Sequence, residues 1–427
     1  MSRTLLHQGR IIDPANGVDQ VGTLIVEAGC ISAVEPSIEP LASDEIIDCR
    51  DKIIAPGLID LHVHLREPGQ AAKETIETGT AAAAAGGFTT VVCMPNTNPT
   101  IDNPSTVAWI RERAASKACI KVEVSGSLSK GLAGDELAPM GSMAQAGVVA
   151  LTDDGHCIQN HELMRRAVEY ARMFDLTVLD HCQDYDLVGD GVMHEGYWST
   201  VLGLPGWPAM GEEIIVMRNI LLAEKLEHRI HCQHLTSGGS VPLLRDALQR
   251  GVPISGEICP HHIALTDREI QRFDSRFKMN PPLRTERDVA MLIEGVADGT
   301  IGILASDHAP HCEYEKEVEF VHAPFGILGL ESEVGLFSTI LVHREKAIDW
   351  PRFIQLYTQA PAELLKLEAG TLTPGKDADI TVIDPDLEWV YDVQSSRSRS
   401  RNTPFHGWEL KGRAVRTMVR GATVWSS

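Results

Sequence analysis

The sequence predicts an α/β protein made of a (β/α)8 TIM barrel and a small, discontinuous β-sandwich domain built from both termini. Three observations lead to this fold. Eight apolar, strand-like runs alternate with helical stretches through the middle of the chain. Shorter β-like runs, separated by Gly, Pro and Asn, occupy both ends. Most of the central runs end in His, Asp or Asn, and functional residues of such barrels lie at the carboxyl ends of the strands.

Short β-like runs lie near both ends of the chain. They lie at 5–12, 22–26 and 31–34 and again at 380–383, 389–391, 413–419 and 422–425. Either group alone would leave strand edges without hydrogen-bond partners, so one sheet domain formed by both ends is the economical interpretation. We therefore expect residues 1–54 and 368–427 to form the β-sandwich domain and residues 55–367 to form the barrel.

The eight central runs lie at 58–64, 89–95, 121–125, 147–153, 176–181, 229–234, 253–258 and 300–306. Helical spacing of apolar and charged residues occurs between them, for example at 73–85, 162–174, 212–226 and 241–250. Two doubly wound sheets would fit the alternation nearly as well. The polar residues at the run ends favour the barrel; they are His62, His64, Asn96, Asp154, His181, His234 and Asp307.

Bulk properties limit the function classes. A chain of 427 residues suits a barrel of roughly 300 residues plus an accessory domain. The net charge of −21 disfavours nucleic acid and anionic membranes as partners, so a small-molecule substrate is expected. Nine scattered cysteines without a Cys-x-x-Cys pair indicate a reducing, cytoplasmic compartment. No run approaches the ~20 apolar residues of a membrane span.

The polar run ends form a set of metal-ligand types. His62 and His64 lie on one face of a strand, because side chains alternate with period two. The later runs add two imidazoles and two carboxylates, which are ligands that zinc prefers. The sequence therefore predicts a metal site. Asp153 and Asp154 point to opposite sides of an extended chain, and their chemistry alone leaves open which of them faces the metal.

Five motifs carry a family resemblance that covers essentially the whole chain. They are IAPGLIDLHVHLREPG at 54–69, MPNTNP at 94–99, TDDG at 152–155, DHAPH at 307–311 and SRNTPF at 400–405. In type and order they resemble the amidohydrolase superfamily and, within it, the long, first-class dihydroorotases. The resemblance implies a barrel of the amidohydrolase type and an enzyme that closes N-carbamoyl-L-aspartate to dihydroorotate in pyrimidine biosynthesis.

The resemblance also implies a ligand set for one or two zinc ions. His62, His64 and Asp307 would hold one ion, and His181 and His234 would hold the second. Asp154 would bridge them, at a position where many relatives carry a carboxylated lysine. That difference weakens hydantoinase-like and allantoinase-like interpretations.

Substrate contacts follow from chemistry and from the resemblance. Asp307 is the candidate catalytic residue that accepts and returns a proton. Arg66 suits a ring carboxylate, because a guanidinium binds carboxylate through two parallel hydrogen bonds. The resemblance adds further substrate-binding residues, which are His64, Asn96, Asn280, His311, Phe325 and Gly326.

Alternatives of two kinds remain. A dihydropyrimidinase or allantoinase would act on a neutral ring, and an inactive scaffold would bind aspartate transcarbamoylase without catalysis. Homo-oligomers and association of an active chain with that partner also stay open. His261 and His262 are expected to be hydrogen-bonding scaffold, and the Arg/Ser run at 395–401 is expected to serve local packing and ion pairing.

Overall fold

The computed structural model describes residues 3–427. Its strands, numbered in chain order, are β1 (Thr4–Asp13), β2 (Val18–Glu27), β3 (Cys30–Glu35), β4 (Glu45–Asp48), β5 (Ile53–Pro56), β6 (Leu58–Val63), β7 (Phe88–Cys93), β8 (Lys121–Gly126), β9 (Ala150–Leu151), β10 (Thr177–Asp180), β11 (Met193–His194), β12 (Gly206–Trp207), β13 (Ile230–Cys232), β14 (Ile254–Ile258), β15 (Ile303–Leu304), β16 (Ile380–Val390), β17 (Glu409–Val419) and β18 (Ala422–Ser426).

The α-helices, numbered in the same way, are α1 (Ile76–Gly86), α2 (Pro104–Lys117), α3 (Met140–Ala146), α4 (His161–Arg172), α5 (Tyr185–Val188), α6 (Tyr197–Leu202), α7 (Met210–Leu226), α8 (Ser240–Gln249), α9 (Pro260–Ala264), α10 (Glu286–Ala297), α11 (Glu313–Lys316), α12 (Glu333–Phe337), α13 (Trp350–Tyr357) and α14 (Gln359–Leu365).

Strands from both ends of the chain form one eight-stranded sheet. Its order is β18-β17-β16-β5-β1-β2-β3, with β4 also paired to β1. The two ends of the chain meet where β5 runs antiparallel to β16, with Ile54 opposite Val382. Leu24 from β2 and Met418 from β17 share one buried cluster with these two residues. The predicted discontinuous sheet domain is therefore confirmed.

Two details of this domain differ from the predicted runs. The runs at 380–383 and 389–391 belong to the single strand β16, whose pairing with β17 is irregular between Asp384 and Glu388. Pro385 lies in that interval, and proline has no N–H to donate to a neighbouring strand. At the amino-terminal side, β5 extends to Pro56, two residues past the expected limit at 54. The exact domain limits stay a prediction.

The central strands form an eight-stranded parallel sheet with the order β15-β14-β13-β10-β9-β8-β7-β6. The sheet nearly closes, because Val63 forms a parallel bridge with His308 and the His64 N–H donates to the His308 carbonyl at 2.9 Å. This contact joins the first strand to the segment after the last strand. The predicted barrel is thereby confirmed, and the alternative of two doubly wound sheets is wrong.

Helices cover the outside of the barrel, and their sequences explain where they begin and which face they bury. In α4 the Asn160 side chain accepts hydrogen bonds from the N–H groups of Glu162 and Leu163 and so caps the helix. The buried residues of α4 are Met164, Ala167, Val168 and Ala171, which follow the helical repeat. Every residue of β6 and β7 is buried, as expected for parallel strands covered on both faces.

Two strands are shorter than predicted. The predicted runs at 147–153 and 300–306 contain only the two-residue strands β9 and β15. Single hydrogen bonds continue beyond each strand, from Thr152 N to Gly126 O and from Ala305 N to Ile258 O. Both segments therefore stay hydrogen-bonded to the neighbouring strand almost up to Asp154 and Asp307, which follow them.

Two further facts concern the chain as a whole. Across residues 3–427, no helix combines the length and the apolar character that crossing a bilayer would take. All nine cysteines in that range are free. Six of them are buried, and the other three are partly exposed.

Candidate metal centre and substrate site

The six predicted metal ligands converge at the carboxyl ends of the barrel strands. They are His62, His64, Asp154, His181, His234 and Asp307, and all six are buried. The Nε2 atoms of His62 and His64 lie 3.5 and 3.0 Å from Asp307 Oδ1. On the other side of the cluster, His181 Nδ1 and His234 Nε2 are 2.7 Å apart. Residues separated by up to 245 positions are thus brought to one point by closure of the barrel.

Asp154 lies at the centre of this cluster. Its carboxylate oxygens are 3.2–3.8 Å from a nitrogen of each of the four imidazoles. Asp153 points the other way and accepts hydrogen bonds from the N–H groups of Leu128 and Ser129 at 2.8 and 3.0 Å. Of the two neighbouring carboxylates, only Asp154 faces the imidazoles.

The chemistry of this donor set fits a divalent metal. His62 Nε2 is buried without a hydrogen-bond partner in the described residues, although it points into the cluster. Burial and the neighbouring His234 lower the pKa of His181 to about 3, so its imidazole is neutral and its nitrogen lone pair is available. Burial would raise the pKa of Asp154, but His62, His234 and His64 together outweigh burial and lower it, which keeps the carboxylate ionised.

A second layer of side chains orients the ligands. His62 Nδ1 lies 2.6 Å from Glu257 Oε1, so its Nε2 is the nitrogen that faces the cluster. Glu257 also binds His231 Nε2 at 3.0 Å. Burial would raise the pKa of Glu257, but His62 and His231 lower it to about 2. Sequence reasoning missed Glu257, although a single charged residue inside the apolar strand β14 was a usable signal.

Two more contacts fix other ligands. His64 Nδ1 lies 2.9 Å from Asn96 Oδ1, which places this predicted substrate residue directly behind a predicted ligand. His181 Nε2 lies 2.8 Å from Gln183 Oε1. Gln183 follows β10 and was also missed, because amides after a strand are common and carry little signal. Both contacts leave the opposite ring nitrogen directed at the cluster.

A cavity of about 340 Å³ opens above the ligands. The predicted substrate residues all line it; they are His64, Arg66, Asn96, Asn280, His311, Phe325 and Gly326. Asn280 Oδ1 is buried and has no partner within residues 3–427. The cavity therefore joins the metal-type ligands to a set of hydrogen-bonding groups large enough to hold a small ring.

Arg66 gives one side of this cavity a positive charge, and His311 lies next to it. Arg66 Nε donates to the Pro310 carbonyl at 3.1 Å, and its Nη2 lies 3.4 Å from His311 Nε2. Burial lowers the pKa of Arg66 to about 10, so the guanidinium stays charged at neutral pH. Lys73, another residue missed at the sequence level, places Nζ 3.4 Å from His311 Nδ1 and 3.0 Å from Glu315. Burial and these two cations lower the pKa of His311 to about 2, so its ring is neutral.

Three site residues have left-handed backbone conformations, which side chains other than glycine rarely adopt. Their φ angles are +60° for Arg66, +31° for His234 and +46° for Asp307. Strand β6 ends at Val63, so strand alternation does not set the direction of the Arg66 side chain. The backbone turns after the strand and directs Arg66 into the cavity.

His261 and His262 lie after β14, close to the ligands. Together with Cys259 they form a further buried group of metal-binding residue types. Burial raises the pKa of the Cys259 thiol well above its usual range, which opposes thiolate ligation. His262 Nε2 binds the Pro281 carbonyl at 3.0 Å. This hydrogen bond fits the scaffold role expected for His262.

Comparisons with protein-family models and with curated proteins show the family to which the chain belongs. Residues 51–240 match a dihydro-orotase-like family model, and residues 211–424 match the amidohydrolase family model. The chain is 47% identical over 419 residues to a dihydroorotase of Syntrophotalea carbinolica, with 98% of each chain covered. It is 47% identical over 422 residues to a dihydroorotase of Pelotomaculum thermopropionicum, covering 99% of this chain and 98% of the relative.

Solved structures agree on the fold. An L-hydantoinase (dihydropyrimidinase) from Arthrobacter aurescens matches with a TM-score of 0.90 at 22% identity, covering 100% of this chain and 96% of that one. A dihydropyrimidinase from Brevibacillus agri matches with a TM-score of 0.86 at 21% identity, covering 99% and 95%. Because the identity is only 21–22%, these matches show a shared fold, with the barrel and the sheet domain, and nothing about function.

Proposed function

The chain belongs to the dihydroorotase family of amidohydrolases, and on that premise we propose that it interconverts N-carbamoyl-L-aspartate and (S)-dihydroorotate plus water in pyrimidine biosynthesis. The observation that carries the proposal is a single cavity of about 340 Å³ in which metal-type ligands face a guanidinium. Ring opening of a cyclic amide needs activated water, and a carboxylated ring needs a cation. The cavity offers residues for both.

We propose zinc as the metal. His62, His64 and Asp307 would hold one ion, His181 and His234 a second, and Asp154 would bridge them. The position of Asp154 supports this arrangement, because its carboxylate oxygens lie 3.2–3.8 Å from a ring nitrogen of each of the four histidines. Zinc bound there would supply Lewis-acid activation of water and of the substrate carbonyl. Metal analysis of the purified protein decides between one and two ions per subunit.

Asp307 is proposed to move the proton. In ring opening, water adds to the ring carbonyl carbon and the carbon–nitrogen bond breaks. Asp307 would take the proton from water and give it to the departing nitrogen. In ring closure the same carboxylate would take a proton from the ureido nitrogen as this nitrogen bonds to the carbon of the substrate's side-chain carboxylate. Asp307 would pass that proton to the departing carboxylate oxygen, which takes up a second proton from solvent and leaves as water. Asp307 suits this role because its oxygen lies at the floor of the cavity, 3.0 Å from His64 Nε2.

The remaining lining residues are proposed to hold the ring. Arg66 and His311 would bind the ring carboxylate, assisted by Asn96. Asn280 Oδ1, which has no partner in the described chain, would accept a hydrogen bond from a ring N–H. Phe325 and Gly326 would close the opposite edge of the ring, where Phe325 packs against Trp207.

The experiment that tests this function is a direct assay of the purified, metal-loaded protein on dihydroorotate and dihydrouracil side by side. We expect rapid turnover of dihydroorotate and poor turnover of dihydrouracil, because Arg66 would lack its carboxylate partner. A preference for dihydrouracil would move the protein to the dihydropyrimidinase branch. Absence of turnover on both rings in a zinc-replete protein would favour the inactive scaffold, which the complete ligand set disfavours.

Partners and location stay predictions. Self-association and binding to aspartate transcarbamoylase can be tested by measuring the mass of the protein alone and mixed with that enzyme. A cytoplasmic location is supported by the nine free cysteines, because such thiols persist in reducing compartments.

A further inference from the structure

One motif of the sequence contributes no residue to the lining of the proposed substrate cavity. The segment SRNTPF at 400–405 belongs to the connection between β16 and β17 of the sheet domain, yet it lies against the mouth of the barrel. Arg399 N donates to Glu74 Oε1 at 3.1 Å, and Ser400 Oγ donates to the Lys73 carbonyl at 2.6 Å. A piece of the sheet domain therefore lies beside the proposed substrate cavity.

Asn402 is the residue of this segment that reaches the substrate loops. Its Oδ1 accepts a hydrogen bond from His311 N at 3.0 Å. Its Nδ2 donates to the carbonyls of Ala309 at 3.0 Å and of Gly326 at 3.2 Å. Its own carbonyl accepts from Leu328 N at 3.1 Å. The side chain is buried, and one amide thus joins two loops that are separated in sequence.

These two loops carry His311 and Gly326, which both line the cavity. Neither residue belongs to a helix or strand, so the regular backbone of the barrel does not fix their positions. The loops also touch closely, since a Cβ added at Gly326 would lie 2.8 Å from the Ala309 carbonyl. Two carbonyls and one N–H converge on Asn402, and an amide matches that pattern because it offers two donors and an acceptor.

We propose that Asn402 is a positioning residue, which holds the His311 loop and the Gly326 loop at the spacing that the substrate ring requires. The inference rests on the proposed function, because it assumes that the ring lies between these loops. Asn402 does not line the cavity, so it acts through His311 and Gly326. A merely structural role would lower the amount of folded protein but leave KM unchanged.

The test compares Asn402→Ala and Asn402→Asp with Ser396→Ala. Asn402→Asp has nearly the same shape but no N–H donors, so two carbonyls lose their partner. Ser396 lies in the same connection and contacts Glu331 instead of the substrate loops, which makes its variant the matched control. KM and kcat for dihydroorotate, zinc content and thermal unfolding are measured for each metal-loaded protein.

We expect KM to rise roughly 10- to 100-fold in both Asn402 variants, because unpaired buried polar groups allow the loops to separate. Zinc content should equal that of the parent, and Ser396→Ala should keep the parental KM. A parental KM in both folded Asn402 variants would overturn the inference. So would a loss of kcat that only follows the fraction of unfolded protein.

A second measurement does not depend on the substrate. Amide hydrogen exchange in the peptide that contains His311 should accelerate in Asn402→Ala but not in Ser396→Ala, since the His311 N–H loses its side-chain acceptor. Leu328 N keeps the backbone carbonyl of residue 402 as its acceptor and serves as an internal reference. Unchanged exchange would overturn the positioning role even if KM rose. A parent protein that fails to turn over dihydroorotate would refute the proposed function instead, while the exchange result would still decide whether Asn402 orders the loops.

Discussion

The two ends of the barrel use charged residues in different ways. At the carboxyl end, buried histidines and carboxylates face a cavity of about 340 Å³, and His62 Nε2 and Asn280 Oδ1 lack partners in residues 3–427. At the amino end, where the sheet domain packs, a larger cavity of about 550 Å³ is lined by Lys121 and Asp377. There the Lys121 ammonium contacts Asp377 and Asp379 at 2.7 and 2.6 Å.

Cavity size therefore does not mark the functional end of the barrel. At the amino end, the charges of Lys121, Asp377 and Asp379 satisfy one another, as expected for residues that stabilise the fold. At the carboxyl end, His62 Nε2 and Asn280 Oδ1 have no partner within residues 3–427, and such buried, unpaired atoms are costly unless a bound group satisfies them. Substitutions at the two ends should therefore separate activity from stability.

The largest effect is expected for removal of a proposed metal ligand. His62→Ala should lose activity by several orders of magnitude and lose bound metal, because water replaces a buried imidazole poorly. The assay is kcat/KM together with metal content. The matched control is His228→Ala at the amino end, where a buried histidine binds only the Leu176 carbonyl at 2.8 Å. That control should lose about 1–2 kcal/mol of stability but keep its metal and turnover. Full activity of metal-free parent protein would contradict the site.

Asp307→Asn is expected to have the next largest effect. The amide keeps the shape of the side chain but cannot accept and return a proton, so kcat should fall roughly 10²- to 10⁴-fold. Most of the bound metal should remain, since the other ligands are unchanged. Single-turnover rates and metal content measured on the same samples separate the two effects. Near-parental kcat would remove Asp307 from proton transfer.

Arg66→Met tests the substrate half of the carboxyl end. Loss of a buried, charge-assisted pair should cost ~2–5 kcal/mol of binding, seen as a higher KM for dihydroorotate. Metal content should stay constant. Turnover of dihydrouracil, which has no carboxylate, should not become worse. Equal losses on both rings would mean that Arg66 supports the metal or the loop and does not recognise the carboxylate.

The metal half of the site was predictable from sequence, whereas part of its surroundings was not. Parallel strands are buried on both faces, so their apolar runs are visible, and a polar residue such as His181 at a run end is conspicuous. The barrel then brings such ends together by topology alone. The ligand roles themselves remain predictions until metal is measured.

The supporting residues could not be found in this way. Asn402 reaches His311 across 91 positions, and its contact depends on how the connection between β16 and β17 lies on the barrel. Lys73 precedes α1 in an irregular segment and carries no pattern that distinguishes it from a surface lysine. Strand limits were also imprecise, as at β9, because an apolar run does not reveal which of its residues pair with both neighbours.

The smallest effect is expected at the amino end, where Lys121→Met should change stability without changing kcat/KM. The lysine side chain is 21% exposed and Asp377 is 40% exposed, so solvent screens the pair and the loss should be about 1 kcal/mol in urea unfolding. The hydrogen bond from Lys121 lowers the pKa of Asp377. The stabilisation that this pair gives the folded state is therefore fully present above the usual carboxylate pKa near 4. It is lost as the pH falls through the lowered pKa of Asp377. The difference between parent and variant should accordingly be full at neutral pH and shrink below pH of about 4. A fall in kcat/KM at neutral pH, with folded protein and full metal content, would show that the two ends of the barrel are coupled. It would contradict the assignment of activity to the carboxyl end and of stability to the amino end.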